Sequence, residues 1–348
     1  MSELDLHEVS AVAERLAAWA RAFVHRDAVV DDVRPLPGHS GHSYAFQVSS
    51  GRAPERLVLR VSAPGARSGS HADATRVVPR LTSMAACGVP VPGVRWWSGA
   101  PDWFGGSATV VEFVAGFTLP DIFDLAATAP DHDVDVAAVF RSAVGALVRM
   151  HAIDAGPRLS GWGRAKSLAD VVDASTRPLQ TAPDRAWIDH GLRVRDALLR
   201  EMPPERAPGV VHNDFYSNNW IVGPSELHGV LDWESSFLGQ RTMDVGWLCM
   251  IYDPASWSPI RRPAMGWHPT PAELVGWYEE LSGGPVPDLT WFRALAGYRL
   301  ACGTAYYLDL HRRGRRHDPM WEDAGQSFPH LLDRALELLS KGDADGAI

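Results

Sequence analysis

The chain has 348 residues, 46% of them hydrophobic and 22% charged, which is the composition of a folded globular protein with room for two lobes, not of a disordered chain. Its 33 Lys and Arg stand against 42 Asp and Glu, a net charge of −9, which argues against a nucleic-acid-binding surface. Three widely spaced cysteines, Cys87, Cys249 and Cys302, form no CxxC pair, so neither a disulfide framework nor a cysteine zinc site is expected.

The acidic N-terminus has no apolar signal-peptide core, and no run of 18 apolar residues occurs. A cytoplasmic protein without membrane or nucleic-acid partners is expected. An amphipathic helix is predicted over 8–24, where Val9, Val12, Ala13, Leu16, Ala20 and Phe23 recur at helical spacing. Strands follow at 43–48 and 56–61, joined by a polar stretch containing Gly51 and Pro54. A helix over 71–87 is stopped by Gly88 and Val89-Pro90-Val91-Pro92. A further strand over 108–114 closes at Gly116.

The character then changes. Residues 134–152 read as a strong helix with Val136, Val139, Phe140, Ala143, Leu147 and Met150 on one face, and 184–201, 290–312 and 326–340 also read as helices. Between them lies a β-rich centre at 210–222 and 227–233. The basic run Arg312-Arg313-Gly314-Arg315-Arg316 is expected to be a solvated helix end. The order predicts an α+β protein: a small sheet-rich lobe, a short connector and a larger, mainly helical lobe.

Most of the chemistry sits in His212-Asn213-Asp214-Phe215-Tyr216-Ser217-Asn218-Asn219, a polar loop between apolar runs. A second apolar run, Gly229-Val230-Leu231, leads into Asp232-Trp233-Glu234. Phosphoryl transfer needs a carboxylate to orient the attacking hydroxyl and accept its proton, and hard oxygen ligands for Mg²⁺. Asp214 suits the first role, and Asn219 and Asp232 suit the second.

This His-x-Asp-x4-Asn pattern, followed by a strand and Asp-Trp-Glu, resembles the aminoglycoside phosphotransferase family, within the wider protein-kinase-like fold. That family usually has Gly where this chain has Asn213, a mild departure because Asn tolerates positive φ. Leu147-Val148-Arg149-Met150-His151 looks like the family's helix ending in Leu-His. The segment from Phe237-Leu238-Gly239 to Met243-Asp244-Val245-Gly246 looks like its Gly-Asp-Pro-x2-Asp-Leu-Ala stretch. The resemblance spans roughly residues 34 to 250.

The resemblance implies a two-lobed fold. Residues 1–113 would form an N-terminal nucleotide-binding lobe with an antiparallel sheet, and residues 114–348 a C-terminal lobe with the catalytic loop and acceptor pocket. It further implies that Leu36-Pro37-Gly38-His39-Ser40-Gly41-His42-Ser43 covers the phosphates, with Ser40, Gly41 and His42 nearest them. Arg60 would take the place of the basic residue that holds the α- and β-phosphates, and Glu112 to Val114 the strand that meets the base. The donor would be ATP or GTP with Mg²⁺. The acceptor would be a hydroxyl of a small molecule, either an antibiotic of aminoglycoside, macrolide or nucleoside type, as in resistance enzymes, or a metabolite such as choline, homoserine or a sugar. A monomer or homodimer is expected. The family pairs its basic residue with a Glu on the following helix. This chain has none there, and Asp73 is the nearest acid.

Simpler readings stand beside these. Asp214 alone could cap a turn, and it is the interval to Asn219 and Asp232 that argues for catalysis. His212 is expected to hold its loop by hydrogen bonds, and Asp244 to brace that loop through backbone N–H groups. Glu234 could meet a metal-bound water or be an exposed carboxylate. His39 and His42 match no metal motif and are expected to face solvent. Trp257, Trp267, Trp277 and Trp291 are expected mostly in core, with one or two in an acceptor pocket. A metal-dependent hydrolase would need His212 and a second nearby His as ligands. A non-catalytic nucleotide-binding protein is the remaining alternative.

Overall fold

The computed structural model describes residues 5–36, 42–63, 65–67, 69–70, 72–122, 133–154, 156–261 and 267–341. Ser40 and Gly41 of the expected phosphate loop lie outside them. The chain divides into two compact units, residues 1–115 with 229–235, and residues 116–228 with 236–348. Among the described residues no helix is long and apolar enough to cross a membrane.

The first unit begins with α1 (Val9–Phe23), whose buried Val12, Leu16, Trp19 and Ala20 recur on one face. Five strands follow, β1 (Val29–Leu36), β2 (His42–Ser49), β3 (Glu55–Val61), β4 (Val94–Ser98) and β5 (Ala108–Glu112), with α2 (Val78–Ala86) inserted before β4. They form one antiparallel sheet in the order β1-β2-β3-β5-β4. In β3 the alternation is clean: Leu57, Leu59 and Val61 are buried, while Val58 and Arg60 occupy the other face. The buried set joins Trp19, Phe46, Phe104 and Val110 in the core. The Trp19 ring meets those of Phe46 and Trp96 edge-on at 5.9 Å each.

Two strands of this sheet, β1 and β4, are absent from the sequence reading, and both are edges. β1 is mostly exposed, contains Pro35, and slips register around Asp32 at φ 52°. β4 slips register between Val94 and Trp96. A bulged edge strand keeps neither a two-residue period nor an apolar face. The helix expected over 71–87 is shorter. A 3₁₀ turn at Ala74–Val77 comes first, capped by Asp73, and α2 starts only at Val78, with Pro79 in its first turn. The strand expected over 108–114 ends at Glu112.

The second unit contains α3 (Val136–His151), α4 (Leu168–Leu179), α5 (Arg185–Arg200), β6 (Gly209–Val211) and β7 (Trp220–Val222). β7 turns back on β8 (Leu227–Val230), along which the chain passes into the first unit. After Ser235 come β9 (Phe237–Gly239), which pairs antiparallel with β6, then α6 (Thr242–Ile251), α7 (Pro271–Ser282), α8 (Leu289–Arg312), α9 (Met320–Gly325) and α10 (Phe328–Lys341). The long α8 packs on α4, α6 and α10.

From Met243 to Ile251, α6 is buried on every side. Gly246 allows its close approach to α8, because a Cβ there would stand 2.6 Å from the Phe292 carbonyl carbon. The Asp253 carboxylate is buried and accepts from Arg293 Nη2 at 2.8 Å and Arg334 Nε at 3.0 Å, tying α8 and α10 to the turn after α6. The basic run after α8 is in part ion-paired: Arg312 forks onto Glu322 at 2.8 and 2.7 Å, and Arg313 reaches Asp309 at 2.8 Å.

Candidate active site

In the second unit the polar loop leaves β6 and is held from below. The Asp244 carboxylate, fully buried near the start of α6, accepts the His212 N–H at 2.8 Å and the Asn213 N–H at 2.7 Å. His151, the last residue of α3, sets its Nε2 3.3 Å from the same carboxylate, and its Nδ1 is 2.8 Å from the Tyr278 hydroxyl. A buried carboxylate that accepts backbone N–H groups fixes a loop without any side chain of that loop being spent.

Held this way, Asn213 adopts φ 77°, the left-handed region in which Asn is among the least strained non-glycine residues. Its side-chain oxygen accepts from Arg299 of α8, and the Arg299 guanidinium carbon lies 5.5 Å from the centre of the Trp247 ring. Burial pulls the Arg299 pKa down to about 10, while Asp244 and Asp214 pull it upward. Arg299 therefore stays charged at neutral pH and presents a positive field to the loop. Nothing in the sequence pointed to it, since an arginine inside a long helix carries no local signature of what it faces.

The Asp214 N–H points at His212 Nδ1, 3.3 Å away, and Asp214 Oδ2 accepts from Asn219 Nδ2 at 2.9 Å. That same amide nitrogen donates to the Asp214 backbone carbonyl at 2.8 Å. Asn219 closes a 3₁₀ turn at Ser217–Asn219, and the Ser217 N–H is fixed by the buried Tyr252 hydroxyl at 3.1 Å. With its nitrogen turned onto Asp214, the Asn219 side chain turns its Oδ1 away, free to act as a hard oxygen donor. His212 is fully buried, with its ring edge-on to Phe215 at 5.8 Å, and its Nδ1 lone pair faces an N–H. That is the loop-holding arrangement, not the ligand geometry a metallohydrolase needs.

The remaining expected residues belong to the first unit. Asp232 takes φ 60° at the end of β8, just before a 3₁₀ turn at Trp233–Ser235. That turn is anchored by Trp233 Nε1 donating to the Val230 carbonyl at 2.9 Å, and by the Val230 N–H donating to the Pro90 carbonyl at 2.8 Å. Arg60 donates from Nη2 to Glu234 Oε1. Glu234 is buried, so the exposed-carboxylate reading of this residue is corrected. Burial lowers the Arg60 pKa, and the Asp232 charge works the other way.

Asp73 is not the partner of Arg60. Its carboxylate accepts from the Gly69 N–H at 2.7 Å, the Thr75 N–H at 2.9 Å, and the Thr75 and Ser107 hydroxyls at 2.8 Å each. Glu112 is exposed and paired with Arg95 Nε at 3.2 Å, and its backbone N–H donates to the Gly93 carbonyl at 2.9 Å. Val114 packs at the place where Gly229 has no side chain, since a Cβ on Gly229 would come 3.0 Å from Val114 Cγ1. His42 opens β2 half-buried, not free in solvent, with its ring edge-on to His7 at 5.0 Å. Burial and the neighbouring His7 lower its pKa, and the Asp5 charge opposes them.

Asn219 offers a neutral amide oxygen and Asp232 a carboxylate, and each by itself is a donor type that Mg²⁺ accepts. Among the described residues no three His, Cys, Asp or Glu side chains gather as an alternative metal site.

Comparison with known proteins agrees with this architecture. The crystal structure of a protein of aminoglycoside phosphotransferase type from Ralstonia eutropha superposes with a TM-score of 0.74 at 22% identity, covering 94% of this chain and 98% of that one. A thermostable mutant of aminoglycoside phosphotransferase APH(4)-Ia, solved as a ternary complex with AMP-PNP and hygromycin B, gives 0.57 at 17% identity, covering 94% of this chain and 99% of that one. At such identities these likenesses speak for the fold.

Among curated sequences, an Arabidopsis thaliana protein named acyl-CoA dehydrogenase IBR3 is 28% identical over 227 residues, 62% of this chain. The chain spans only 27% of the length of that relative. The model of the phosphotransferase enzyme family matches residues 32–277, which include the loop at 212–219, Arg60 and Asp232. The chain has the kinase-like α+β fold and belongs to the phosphotransferase enzyme family.

Proposed function

We propose that this protein transfers the γ-phosphoryl group of ATP to a hydroxyl of a small molecule, an antibiotic of aminoglycoside, macrolide or nucleoside type or a related metabolite. The observation that carries the reading is the braced loop. Asp214 is held by Asn219 on one side and by the His212–Asp244 anchorage below it, so its carboxylate is presented in one orientation.

In the transfer, the acceptor oxygen forms a bond to the γ-phosphorus as the bond to the bridging oxygen breaks, and ADP leaves. The acceptor proton passes to Asp214. Because such transition states are loose, orientation by Asp214 contributes more than its basicity. Arg60 offers a planar fork of N–H donors to the α- and β-phosphates. Glu112 ends β5 and Val114 follows it where the chain would meet the base, with His42 at the start of β2 toward the phosphates.

Asn219 and Asp232 would hold Mg²⁺, which when bound neutralises charge on the phosphates. An adenine nucleotide as donor is supported by the AMP-PNP complex of the structural neighbour. The test is an acceptor panel of aminoglycosides, macrolides, nucleosides, choline, homoserine and sugars, with ATP and with GTP, read by nucleoside diphosphate release. Acceptor-dependent ADP release supports the reading. Nucleotide binding without release for any acceptor opposes it.

A further inference from the structure

We propose that Glu234 is the positioning residue for Arg60. On this assignment the turn that carries Asp232 also supplies the carboxylate that orients the phosphate clamp. The inference rests on the reading of Arg60 as that clamp.

A guanidinium on a sheet face has several low-energy rotamers, and it needs a fixed counter-charge to present the same fork to every incoming phosphate. The segment that follows β3 cannot provide one. From Ala74 to Ala86 it has no acidic residue, and it carries Arg76 and Arg80 instead. Arg76 Nη1 donates to the Gly69 carbonyl at 2.9 Å, and Arg80 Nη1 to the Arg76 carbonyl at 2.7 Å. Asp73, the nearest acid, already accepts four hydrogen bonds and is filled by them.

Glu234 is differently placed. Its side chain is 8% exposed, its Oε1 accepts from Arg60 Nη2, and its Oε2 is buried without a hydrogen-bond partner. A buried carboxylate with one oxygen on an arginine fixes that guanidinium at one point through a charge-assisted hydrogen bond. The scaffold under it is rigid, with Trp233 buried and the turn pinned to Val230 and, through Val230, to Pro90. Arg60 itself leaves β3 on the face opposite the core, between Ser43 of β2 and Thr109 of β5 in register. Its Nε and Nη1 remain for phosphate once Nη2 is held.

The test measures ADP affinity by calorimetry, with Mg²⁺ and in EDTA, for wild type, Glu234→Gln, Glu234→Asp, Arg60→Ala and the Glu234→Gln/Arg60→Ala double variant. Glu234→Gln is isosteric, and thermal melts check that each variant folds. The proposal expects Glu234→Gln to weaken ADP binding about tenfold in EDTA as well as in Mg²⁺, the usual size for losing one charge-assisted hydrogen bond. Glu234→Asp should recover part of the loss, and the double variant should bind no more weakly than Arg60→Ala alone. Losses that add up in the double variant overturn the proposal. So does a Glu234→Gln defect that appears only with Mg²⁺, which would make Glu234 a metal-site residue. If Arg60→Ala binds ADP as wild type does, the clamp reading itself fails and this assignment falls with it. Binding lost in Arg60→Ala but kept in Glu234→Gln overturns the assignment alone.

Discussion

Replacing Asp244 by Asn isolates what the buried brace contributes. The carboxylate uses both oxygens, Oδ2 for the His212 N–H and His151, and Oδ1 for the Asn213 N–H. An amide of the same shape has one oxygen and one NH₂, so in either orientation one backbone N–H faces another donor. Stranding that N–H costs about 1–3 kcal/mol, and the surviving bond falls from the charged to the neutral range, losing about 1 kcal/mol more. The expected loss is thus about 2–4 kcal/mol, or about 5–15 °C in the melting of a unit of this size. The assay is calorimetric melting alongside kcat and KM for ATP. Because the brace acts on the loop carrying Asp214, kcat should fall more than the KM for ATP rises. A variant melting within about 1 °C of wild type, with kcat unchanged, would refute the argument that this carboxylate holds the loop.

Other outcomes follow from the same packing. Asp253→Asn leaves Arg293, whose side chain is 8% exposed, without its buried counter-charge, and should cost about 3–5 kcal/mol in chemical denaturation. Gly246→Ala sets a methyl 2.6 Å from the Phe292 carbonyl carbon, and should destabilise by about 1–3 kcal/mol or more, read from the urea midpoint. Burial disfavours the Asp73 carboxylate, but bonds from Gly69, Thr75 and Ser107 outweigh it and hold its pKa below the ordinary range. Its contribution is therefore complete above the unfolded value of about 3.9 and lost as pH falls through the lower folded value. Asp73→Asn should be less stable than wild type at pH 7, and the gap in urea midpoint should narrow in more acid solution.

The elements most legible in the sequence were those with one face in core and one in water. α1, α3 and α10 carry apolar residues at helical spacing, and β3 alternates, so their periods survive in the residues themselves. α6 was not recognised as a helix for the opposite reason, since burial on all sides erases the period. α4 and α7 did announce themselves, through the capping boxes Ser167/Asp170 and Thr270/Glu273, a signal the periodicity reading passed over.

At the site, the loop from His212 to Asn219 was visible because its spacing is local and its polar groups stand between apolar runs, whereas Asp244, 32 residues beyond His212, was legible through the resemblance of its segment to the family's. The contact of Arg60 with Glu234, 174 residues away, and that of Arg299 with Asn213, 86 residues away, were not. Such pairs are made by tertiary structure alone. Asp73 is the first acidic residue after Arg60 in sequence, but its carboxylate is bonded to Gly69, Thr75 and Ser107.

The central claim is that Asp214 addresses the acceptor hydroxyl, and Asp214→Asn tests it most directly. The substitution preserves shape and leaves Arg60 and Asp232 untouched. With the acceptor found in the panel, the measurement is kcat for phosphoryl transfer together with the Kd for ATP on the same preparation. The account predicts a kcat lower by about 10² to 10⁴, the reach of general-base catalysis, with the Kd for ATP within about twofold of wild type. A variant that transfers phosphate at the wild-type rate, or one whose Kd for ATP rises many-fold while kcat at saturating ATP is unchanged, would contradict it.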